Sequence, residues 1–577
     1  MTGARGRRWG KLQARGAGPA AGASGRPYGR PTVIERVLLL PHLVARRAAA
    51  TPDRVYLQAV DGPSLTYAEV HARARAMAGG LAGLGVGAGD RVVTMLPTGP
   101  DSVVTWLACA WLRALQVPLN PDFRGRILGH AIALAGAKVA ILDAAGAARV
   151  AELPGGAGAF ATVVAAGEDL DALAAAAPAD DDFEGPDGHD PACVLFTSGT
   201  TGPSKGVLVS WRQLYQQATG GPPLASLRLP VGAGAPPGID LDLGWSEDHA
   251  IYSPLPHFHL AGKVMAYRAA LPGGRLVTRE RFATDRFWDE ARATGCTESV
   301  LLGAMAQFLF QQPPRADDAT GPLKTIQMPP LIPEARAFAR RFGVQLWTCY
   351  ASTECSTPIE TGYDWADWRS CGRRNPGYTL RLVDEHDHDV ADGTVGELVV
   401  RTRDPWLLNL GYLDNPEATA AAWRNGWLHT GDAFRRDAEG NYYFVDRLKD
   451  AIRRRGENIS SLELEAEVAE HAAVAECAAV GVPSSFGEED VLVAVVPVEG
   501  AALDPAGLVA FLAPRIPRFM LPRYVRVVDE LPKTPTAKVR KGALRDAGVP
   551  AGTFDREALD RPTSAAGARA VPDAPLA

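Results

Sequence analysis

The chain has 577 residues, of which 46% are hydrophobic and 22% charged, and its formal net charge is −6 at pH 7. This length predicts two to four domains, and the average composition excludes a disordered, collagen-like or fibrous protein. Because proteins that bind polyanions are normally basic, nucleic acid is not expected as a partner.

The seven cysteines are scattered along the chain, and none belongs to a CxxC pair. This usage is typical of reduced structural thiols rather than of a disulfide framework or a zinc site. Reduced thiols in turn predict a cytoplasmic protein. No apolar stretch reaches about 18 uninterrupted residues, the length that a membrane span needs, so stable insertion into a membrane is not expected.

The two ends of the chain differ from the rest in composition. Residues 1–32 are rich in Gly, Ala and Arg and contain no acidic residue, which predicts a disordered and dispensable basic leader. A transit peptide has a similar composition, and a start codon assigned too far upstream is a third interpretation. Residues 549–577, which become rich in Ala and Pro, are predicted to form a loose tail.

Between these ends, short β-branched runs alternate with helical runs rich in Ala and Leu. Residues 91–95 predict a strand, residues 102–115 a helix and residues 138–142 a further strand. This alternation is typical of parallel sheets covered by helices. Around residues 383–401 the pattern changes to hairpins, which predicts a small antiparallel sub-domain within an N-terminal domain of residues 33–446.

Residues 447–548 predict a separate, small α+β domain at the C-terminal side. Its expected elements are helices at 461–471 and 505–513 and strands at 475–482 and 491–498. The predicted fold class is therefore α/β: a large N-terminal domain of helix-covered sheets with an antiparallel sub-domain, followed by a small mobile domain. A Pro/Gly-rich stretch at 220–244 predicts a long surface loop, either a lid or an insertion.

The strongest motif is LFTSGTTGPSKG at residues 195–206. An apolar strand leads directly into a loop of hydroxyl residues and glycines. Glycines allow the backbone to approach an anion closely, and hydroxyls and amides donate to phosphate oxygens. The spacing is not that of a Walker A loop. The run predicts a phosphate loop whose candidate residues are Thr197, Ser198, Gly199, Thr200, Thr201 and Lys205.

A second candidate residue, Glu354, follows Thr353 directly after the apolar and aromatic run VQLWTCY. Both residues are predicted to lie at the end of a strand, where ligands bind in open α/β sheets. A carboxylate at this place suits Mg²⁺, which prefers oxygen ligands and bridges ATP phosphates. A solvated surface glutamate is the alternative.

These motifs resemble the adenylate-forming superfamily of acyl-CoA synthetases, luciferases and peptide-synthetase adenylation domains. The phosphate loop is followed, in the order typical of that superfamily, by PHFHLAG (256–262), YASTE (350–354), GWLHTGD (426–432), DRLKDAIRRRGENISSLELE (446–465) and PKTPTAKVRK (532–541). The similarity spans residues 33–548. The segments YFVDRLKDAIRRRGENIS and LLGAMAQFL are most similar to crotonobetaine/carnitine–CoA ligases.

The resemblance implies roles for individual residues. The implied catalytic residues are Lys538, Glu354 and Thr197, with Glu354 also holding Mg²⁺. The implied contacts of ATP or AMP are the phosphate loop together with Tyr350, Thr353, Asp432, Arg447 and Lys538. The implied pocket for the acid contains His259, Gly303 and Ala351, whereas His257 is expected to be structural. Lys449 takes the place of the hinge residue, and Gly456 marks the loop used in the CoA half-reaction.

Three segments depart from the superfamily pattern. Ala351 and Ala537 stand where glycine is usual, and QMPPLIP at 327–333 replaces a Gly-Gly-Ala-Pro-like adenine segment. Ala351 adds a methyl group where adenylate meets substrate, so we expect a reshaped pocket. The neighbouring Lys533 and Lys541 are not expected to share the role of Lys538.

The sequence therefore predicts an ATP-dependent acid–CoA ligase that forms an acyl-adenylate, releases pyrophosphate and then makes a CoA thioester. Its substrates would be ATP, a small carboxylic acid and CoA, with Mg²⁺ as the metal. The alternative is an adenylating enzyme with another nucleophile: a carrier-protein thiol, an amine, or nitrite in a diazotisation. A non-enzymatic nucleotide-binding protein is disfavoured because the motif residues are retained together. The identity of the acid, and the choice between monomer and homodimer, stay open.

Overall fold

Helices and strands alternate through the described part of the chain, as the sequence predicts. The computed structural model describes residues 36–559 apart from 176–183, 198–203, 221–246, 449, 451, 455–456, 460, 485–488, 517 and 535–537. The predicted leader, nearly all of the predicted loop at 220–244 and the end of the predicted tail lie outside the described residues.

The helices and strands have the following bounds. The helices are α1 Leu40–Ala50, α2 Tyr67–Gly83, α3 Pro100–Trp111, α4 Gly125–Ala135, α5 Ala144–Ala151, α6 Glu168–Ala174, α7 Trp211–Ala218, α8 Leu260–Ala270, α9 Phe287–Ala293, α10 Gly303–Gln311, α11 Ala335–Phe342, α12 Pro416–Ala422, α13 Ser461–Ala469, α14 Pro505–Leu512, α15 Lys541–Ala547 and α16 Arg556–Leu559. The strands are β1 Val55–Ala59, β2 Ser64–Thr66, β3 Arg91–Met95, β4 Leu115–Pro118, β5 Val139–Leu142, β6 Thr162–Ala165, β7 Pro191–Thr197, β8 Lys205–Ser210, β9 Ala250–Ser253, β10 Arg275–Thr278, β11 Glu298–Val300, β12 Thr325–Gln327, β13 Gln345–Trp347, β14 Cys349–Ser352, β15 Ser356–Glu360, β16 Ser370–Arg374, β17 Tyr378–Val383, β18 Gly396–Thr402, β19 Leu428–Arg436, β20 Tyr442–Arg447, β21 Ile452–Arg454, β22 Glu457–Ile459, β23 Val474–Pro483, β24 Glu489–Pro497, β25 Tyr524–Val527 and β26 Phe554–Asp555.

Two largely parallel sheets form the N-terminal domain. The first has the strand order β6-β5-β3-β4-β7-β8 and is parallel except for the β7–β8 pair. The second has the order β13-β12-β11-β9-β10-β1-β2 and is parallel except for the β1–β2 pair. The prediction of parallel sheets covered by helices is confirmed.

Neighbouring residues of one strand face two different cores, because side chains alternate across a sheet. Val92 packs into the core between the two sheets, with α1, α2, α3, α7 and α8, whereas Val93 packs outward against α4 and α5. In the second sheet Ile251 faces the shared core, and Tyr252 packs outward against α9, α10 and α11. Burial on both faces explains why these strands are continuous apolar runs in the sequence.

The predicted sub-domain is an antiparallel sheet with the order β14-β15-β16-β20-β19-β18-β17. The β17–β18 pair is the hairpin predicted around residues 383–401. Strand β14, which precedes Glu354, pairs antiparallel with β15 in this sheet. Glu354 therefore follows the end of a strand, as predicted, but in the turn of a β-hairpin rather than in an open α/β sheet, because the chain leaves the parallel sheet after Trp347.

The C-terminal domain is a four-stranded sheet of order β23-β24-β25-β26. Its core includes Leu464, Val493 and Leu508, which come from the predicted helices and strands. Part of the predicted tail is ordered against this sheet, because Phe554 pairs with Val525 and an ion pair joins Asp555 to Arg523. The prediction of a loose tail from residue 549 is therefore wrong for residues 553–559.

Two further observations concern the helices and the cysteines. Among the helices that the structure describes, none combines the length and apolar character of a membrane span. All seven cysteines are unpaired thiols, and five of them are buried.

Candidate active site

The ends of the predicted phosphate loop are fixed by an antiparallel strand pair. Thr197 is the last residue of β7 and lies opposite Lys205, the first residue of β8. The strands meet closely at Gly206, where a Cβ atom would lie 2.8 Å from Cγ1 of Val194. The loop residues Ser198, Gly199, Thr200 and Thr201 lie outside the described part of the chain. The strand pair therefore places Thr197 and Lys205 side by side at the base of the loop.

Lys205 contacts a residue that the sequence analysis missed, Tyr412. Residues 411–413 lie along β8 and are joined to it by backbone hydrogen bonds. The Nζ of Lys205 lies 4.9 Å from the centroid of the Tyr412 ring, within the range of a cation–π interaction. The Tyr412 hydroxyl donates a hydrogen bond of 3.2 Å to Oε1 of Glu354. One tyrosine thus joins the lysine of the phosphate loop to the predicted metal ligand.

Hydrogen bonds to the backbone carbonyls of Thr353 and Glu354 fix the hairpin turn that carries Glu354. The carbonyl of Glu354 accepts from the amide of Asn409 at 2.9 Å, and the carbonyl of Thr353 accepts from Nε2 of Gln213 at 2.7 Å. Over the residues that the structure describes, no group of three or more His, Cys, Asp or Glu side chains could hold a metal ion. Glu354 would supply one carboxylate ligand. This donor set fits Mg²⁺, which commonly keeps several waters and is held by one or two carboxylates and substrate phosphates.

Asp432 is buried within strand β19. Its Oδ2 accepts a hydrogen bond of 2.6 Å from the Tyr350 hydroxyl, and its Oδ1 lies 3.3 Å from Nε of Arg447. Arg447 is opposite Asp432 in the β19–β20 register, so the ladder itself sets this ion pair. Burial raises the pKa of Tyr350 well above its ordinary value, so the phenol is a neutral donor. The structure brings together three residues that the sequence assigned to the nucleotide.

Lys538 reaches the same place from the C-terminal domain. Although it keeps an exposed surface, desolvation of its ammonium group and then the charge of Arg447 lower its pKa. The carboxylates of Asp432 and Asp450 act in the opposite direction. The carbonyl of Lys538 accepts a hydrogen bond of 2.7 Å from the amide of Thr534, which closes the loop that carries it. Lys538 therefore lies within electrostatic range of the Asp432–Arg447 pair.

Two histidines lie just before helix α8 and differ in their contacts. Nδ1 of His257 lies 2.5 Å from Oγ of Ser102, and burial followed by the charge of Lys263 lowers the pKa of His257 to about 3. Burial lowers the pKa of His259 to about 4, and its buried Nε2 has no hydrogen-bond partner among the described residues. Both imidazoles are neutral near pH 7. The buried Nε2 atoms of both histidines have no hydrogen-bond partner among the described residues, and the two differ in that Nδ1 of His257 contacts Ser102. That His257 is structural stays a prediction.

The predicted pocket residue Gly303 begins helix α10 and packs against the segment 327–333. A Cβ atom at Gly303 would lie 3.0 Å from the carbonyl oxygen of Pro330. The amide of Met328 donates a hydrogen bond of 2.8 Å to the carbonyl of Trp347, which ties the segment to β13. The segment therefore lies between the start of α10 and the chain that leads into β14, where Ala351 is exposed.

Several expected residues cannot be compared with the structure. The predicted hinge residue Lys449, the loop residue Gly456 and Ala537 lie outside the described residues. Sequence analysis also missed the buried pair Asp446 and Ser461, which joins the two domains. These residues gave no signal, because a single Asp or Ser in a motif does not indicate its partner.

Comparison with protein families identifies both parts of the chain. The profile of the AMP-binding enzyme family matches residues 44–413, and the profile of the AMP-binding enzyme C-terminal domain matches residues 463–538. The chain belongs to the AMP-binding enzyme family.

Individual relatives are CoA ligases. The medium/long-chain-fatty-acid–CoA ligase FadD6 of Mycobacterium tuberculosis is 32% identical over 525 residues, which cover 87% of this chain and 84% of the relative. A crotonobetaine/carnitine–CoA ligase of Salmonella arizonae is 31% identical over 362 residues, covering 62% of this chain and 66% of the relative. The solved structure of ATP-bound MatB from Rhodopseudomonas palustris is 26% identical, with a TM-score of 0.76, covering 88% of this chain and 98% of that chain.

These similarities extend to the activity. The chain is an ATP-dependent, AMP-forming acid–CoA ligase with a large N-terminal and a small C-terminal domain. The identities to a fatty-acid ligase and to a carnitine-type ligase are nearly equal. Overall similarity therefore does not select the acid.

Proposed function

We propose that this ligase activates a small carboxylic acid at the Asp432–Arg447 pair and completes the reaction by domain rotation. The observation that carries the proposal is the position of Lys538. The ammonium group of Lys538 lies within electrostatic range of the buried Asp432 and of Arg447, which pair with each other on the antiparallel sheet. This arrangement suits the first half-reaction, in which negative charge must be neutralised around a phosphate.

In the first half-reaction, a carboxylate oxygen of the acid attacks the α-phosphorus of ATP. A new O–P bond forms, the bond from the α-phosphorus to pyrophosphate breaks, and the electron pair leaves with pyrophosphate. The enzyme contributes alignment and charge neutralisation, because no proton has to be moved. Lys538 would stabilise the charge that develops around the α-phosphorus, and Thr197 and Lys205 would hold the phosphates.

Asp432 is suited to bind the ribose hydroxyls. The neutral phenol of Tyr350 takes one side of the carboxylate and Arg447 flanks the other, so the carboxylate is fixed in one orientation. Carboxylate oxygens accept hydrogen bonds and hydroxyl groups donate them, so this carboxylate would accept from the ribose hydroxyls. Thr353 would contact the nucleotide from the neighbouring turn.

Mg²⁺ would be held by Glu354, and when bound it would neutralise phosphate charge and orient the phosphates. The protein prepares this ligand in two ways. The Tyr412 hydroxyl orients one carboxylate oxygen of Glu354, and the hydrogen bond from Asn409 fixes the backbone of the turn. The same Tyr412 ring keeps Lys205 at the phosphate side of the site.

In the second half-reaction, the sulfur of CoA attacks the acyl carbon. A new S–C bond forms, the bond between the acyl carbon and the phosphate oxygen breaks, AMP leaves with the electron pair, and the thiol proton passes to water. We propose that the chain turns at Lys449, between domains of residues 33–446 and 447–548, and brings the loop of Gly456 to the site. A charged side chain at a hinge can stay hydrated in both orientations of the C-terminal domain. Arg447 is the last residue of strand β20 and therefore belongs to the antiparallel sheet of the N-terminal domain.

The acid would occupy a pocket at His259, Gly303 and Ala351. The acyl group would lie beside the neutral imidazole of His259, whose Nε2 has no hydrogen-bond partner among the described residues. A Cβ atom at Gly303 would lie only 3.0 Å from the carbonyl oxygen of Pro330, so a larger side chain there would crowd the segment 327–333. A cytoplasmic location and a homodimer stay predictions.

The experiment that tests this function separates the two half-reactions. The full chain is given ATP, Mg²⁺ and a panel of carboxylic acids, and acid-dependent exchange of pyrophosphate into ATP is measured before CoA is added. An acid that supports exchange should give its CoA thioester by mass spectrometry. Exchange without any thioester would favour the alternative of another acceptor, such as a carrier-protein thiol, an amine or nitrite. Absence of exchange with every acid, in an enzyme that binds ATP, would contradict the proposal.

A further inference from the structure

A buried carboxylate joins the two domains outside the nucleotide site. Asp446 lies in β20, one residue before Arg447, and is almost fully buried, at 3% exposure. Its Oδ2 accepts a hydrogen bond of 2.7 Å from the amide of Ser461, the first residue of α13, and another from the Ser461 hydroxyl. Its Oδ1 accepts from the amide of Arg447 at 2.7 Å. Both oxygens of Asp446 are thus bonded, one of them to the C-terminal domain.

The contact continues to the segment that carries Lys538. The Nζ of Lys541 donates to the Ser461 hydroxyl and lies 2.9 Å from Oε1 of Glu465. Lys541 is the first residue of α15 and follows Lys538 by three residues. Between them the chain is held by the hydrogen bond from the amide of Arg540 to the carbonyl of Pro532, at 2.7 Å. A short, fully bonded path therefore leads from Asp446 to the loop of Lys538.

The same strand pair carries both the anchor and the nucleotide site. In the β19–β20 ladder Asp432 lies opposite Arg447, and Ala433 lies opposite Asp446. The ladder therefore fixes the backbone of Asp446 relative to that of Asp432, so the Asp446–Ser461 contact relates the C-terminal domain to the nucleotide site.

We infer that Asp446 is a positioning residue for Lys538 in the adenylate-forming half-reaction, acting through Ser461 and Lys541. This inference rests on the proposed function of Lys538 and on a hinge at Lys449. Asp446 precedes that hinge, and Ser461 and Lys541 follow it, so rotation of the C-terminal domain has to break the Asp446–Ser461 contact. The contact supports one half-reaction and is absent from the other.

The test measures both half-reactions in the full-length chain carrying Asp446→Asn. Acid-dependent pyrophosphate exchange should fall by about 10- to 100-fold, the effect of losing one hydrogen bond to a charged group. Thioester formation from a chemically prepared acyl-adenylate and CoA should stay close to the unmodified rate. Ser461→Ala, which removes the hydroxyl bridge and keeps the helix, should show the same split to a smaller degree.

The matched control is Asp437→Asn in the β19–β20 turn. Asp437 also accepts hydrogen bonds from its own hairpin, from Asn441 and Tyr443, but it does not reach the C-terminal domain. This variant should leave the ratio of the two half-reaction rates unchanged. In the double variant of Asp446→Asn with Lys541→Met, the rate of exchange should be no lower than in the less active of the two single variants, because both changes interrupt one path.

The outcomes distinguish the inference from the function on which it rests. If Lys538→Ala gives the split and neither Asp446→Asn nor Ser461→Ala does, the positioning role is overturned and the proposed function stands. If Asp446→Asn and Ser461→Ala slow both half-reactions alike, Asp446 is structural and the inference fails. If Lys538→Ala itself gives no split, the role of Lys538 fails first and the inference fails with it.

Discussion

The hydroxyl of Tyr350 donates a hydrogen bond of 2.6 Å to Oδ2 of the buried Asp432, across the sheet of the sub-domain. Removing this donor leaves one oxygen of a buried carboxylate without its partner, which typically costs about 1–3 kcal/mol. Tyr350→Phe should therefore raise the KM for ATP in pyrophosphate exchange by about tenfold or more. Tyr443→Phe, which removes a donor to Asp437 in the same sub-domain, is the control and should leave this KM unchanged.

Tyr412 should be sensitive to the loss of its hydroxyl and of its ring separately. Tyr412→Phe removes the donor to Glu354 and should raise the Mg²⁺ concentration for half-maximal exchange by about tenfold, as for other groups that orient a metal ligand. Tyr412→Leu also removes the ring beneath Lys205 and should weaken ATP binding further, by roughly 1 kcal/mol. Titration of Mg²⁺ and ATP in both variants checks this. Equal defects in the two variants would show that the ring is not used.

Acid should destabilise the fold through His257. Its pKa in the folded protein is lowered from 6.5 to about 3 by burial and by Lys263. Between these values the unfolded chain binds a proton that the folded protein does not, so the free energy of unfolding falls as the pH falls. His257→Gln should reduce the pH slope of this free energy by up to about one proton between about pH 4.5 and 6.5. Urea unfolding at several pH values measures the slope, and an unchanged slope would show that His257 is not the source.

The methyl group of Ala351 should influence which acids are accepted. Ala351 is exposed on β14, between the buried Tyr350 and the turn of Glu354. Ala351→Gly should widen the pocket and shift the preference toward bulkier acids, measured as kcat/KM over an acid panel. The KM for ATP is the internal control and should change little. A substrate profile identical to that of the unmodified enzyme would remove Ala351 from the pocket wall.

The layered fold could be predicted from the sequence where strands are buried on both faces. The runs at 91–95 and 138–142 have no polar face, and the structure makes them β3 and β5 of a parallel sheet. The helix predicted over 102–115 was too long, because Arg113 adopts a φ of 54° and the chain enters β4 at Leu115. The residues of this turn and strand are as apolar as the helix before them, so periodicity alone gave no boundary.

The candidate site could be predicted only where a motif carries it. Lys205, Glu354, Asp432 and Lys538 stand in recognisable segments, whereas Tyr412 lies in a plain apolar run and bonds to Glu354 across 58 residues. Such a pair depends on how residues 411–413 lie along β8, which the sequence does not encode locally. The ordered residues 553–559 were missed for a similar reason, because their partners lie on β25.

Lys538 is proposed to neutralise charge in the adenylate-forming half-reaction alone. Losing one well-placed electrostatic partner typically costs on the order of 10²–10³ in rate. The control is Lys533→Ala, because the Nζ of Lys533 donates a hydrogen bond of 2.7 Å to Oε1 of Glu476. Lys541→Ala is less suitable as a control, because Lys541 contacts Ser461. Lys533→Ala should leave both half-reactions close to normal.

The most direct measurement compares the two half-reactions in Lys538→Ala. Acid-dependent pyrophosphate exchange should fall by about 10²–10³, because the substitution removes a cation that stabilises the transition state more than bound ATP. Thioester formation from a supplied acyl-adenylate and CoA should be affected far less, since the loop of Lys538 has by then rotated away. An equal fall in both half-reactions, or no fall in either, would contradict this role of Lys538.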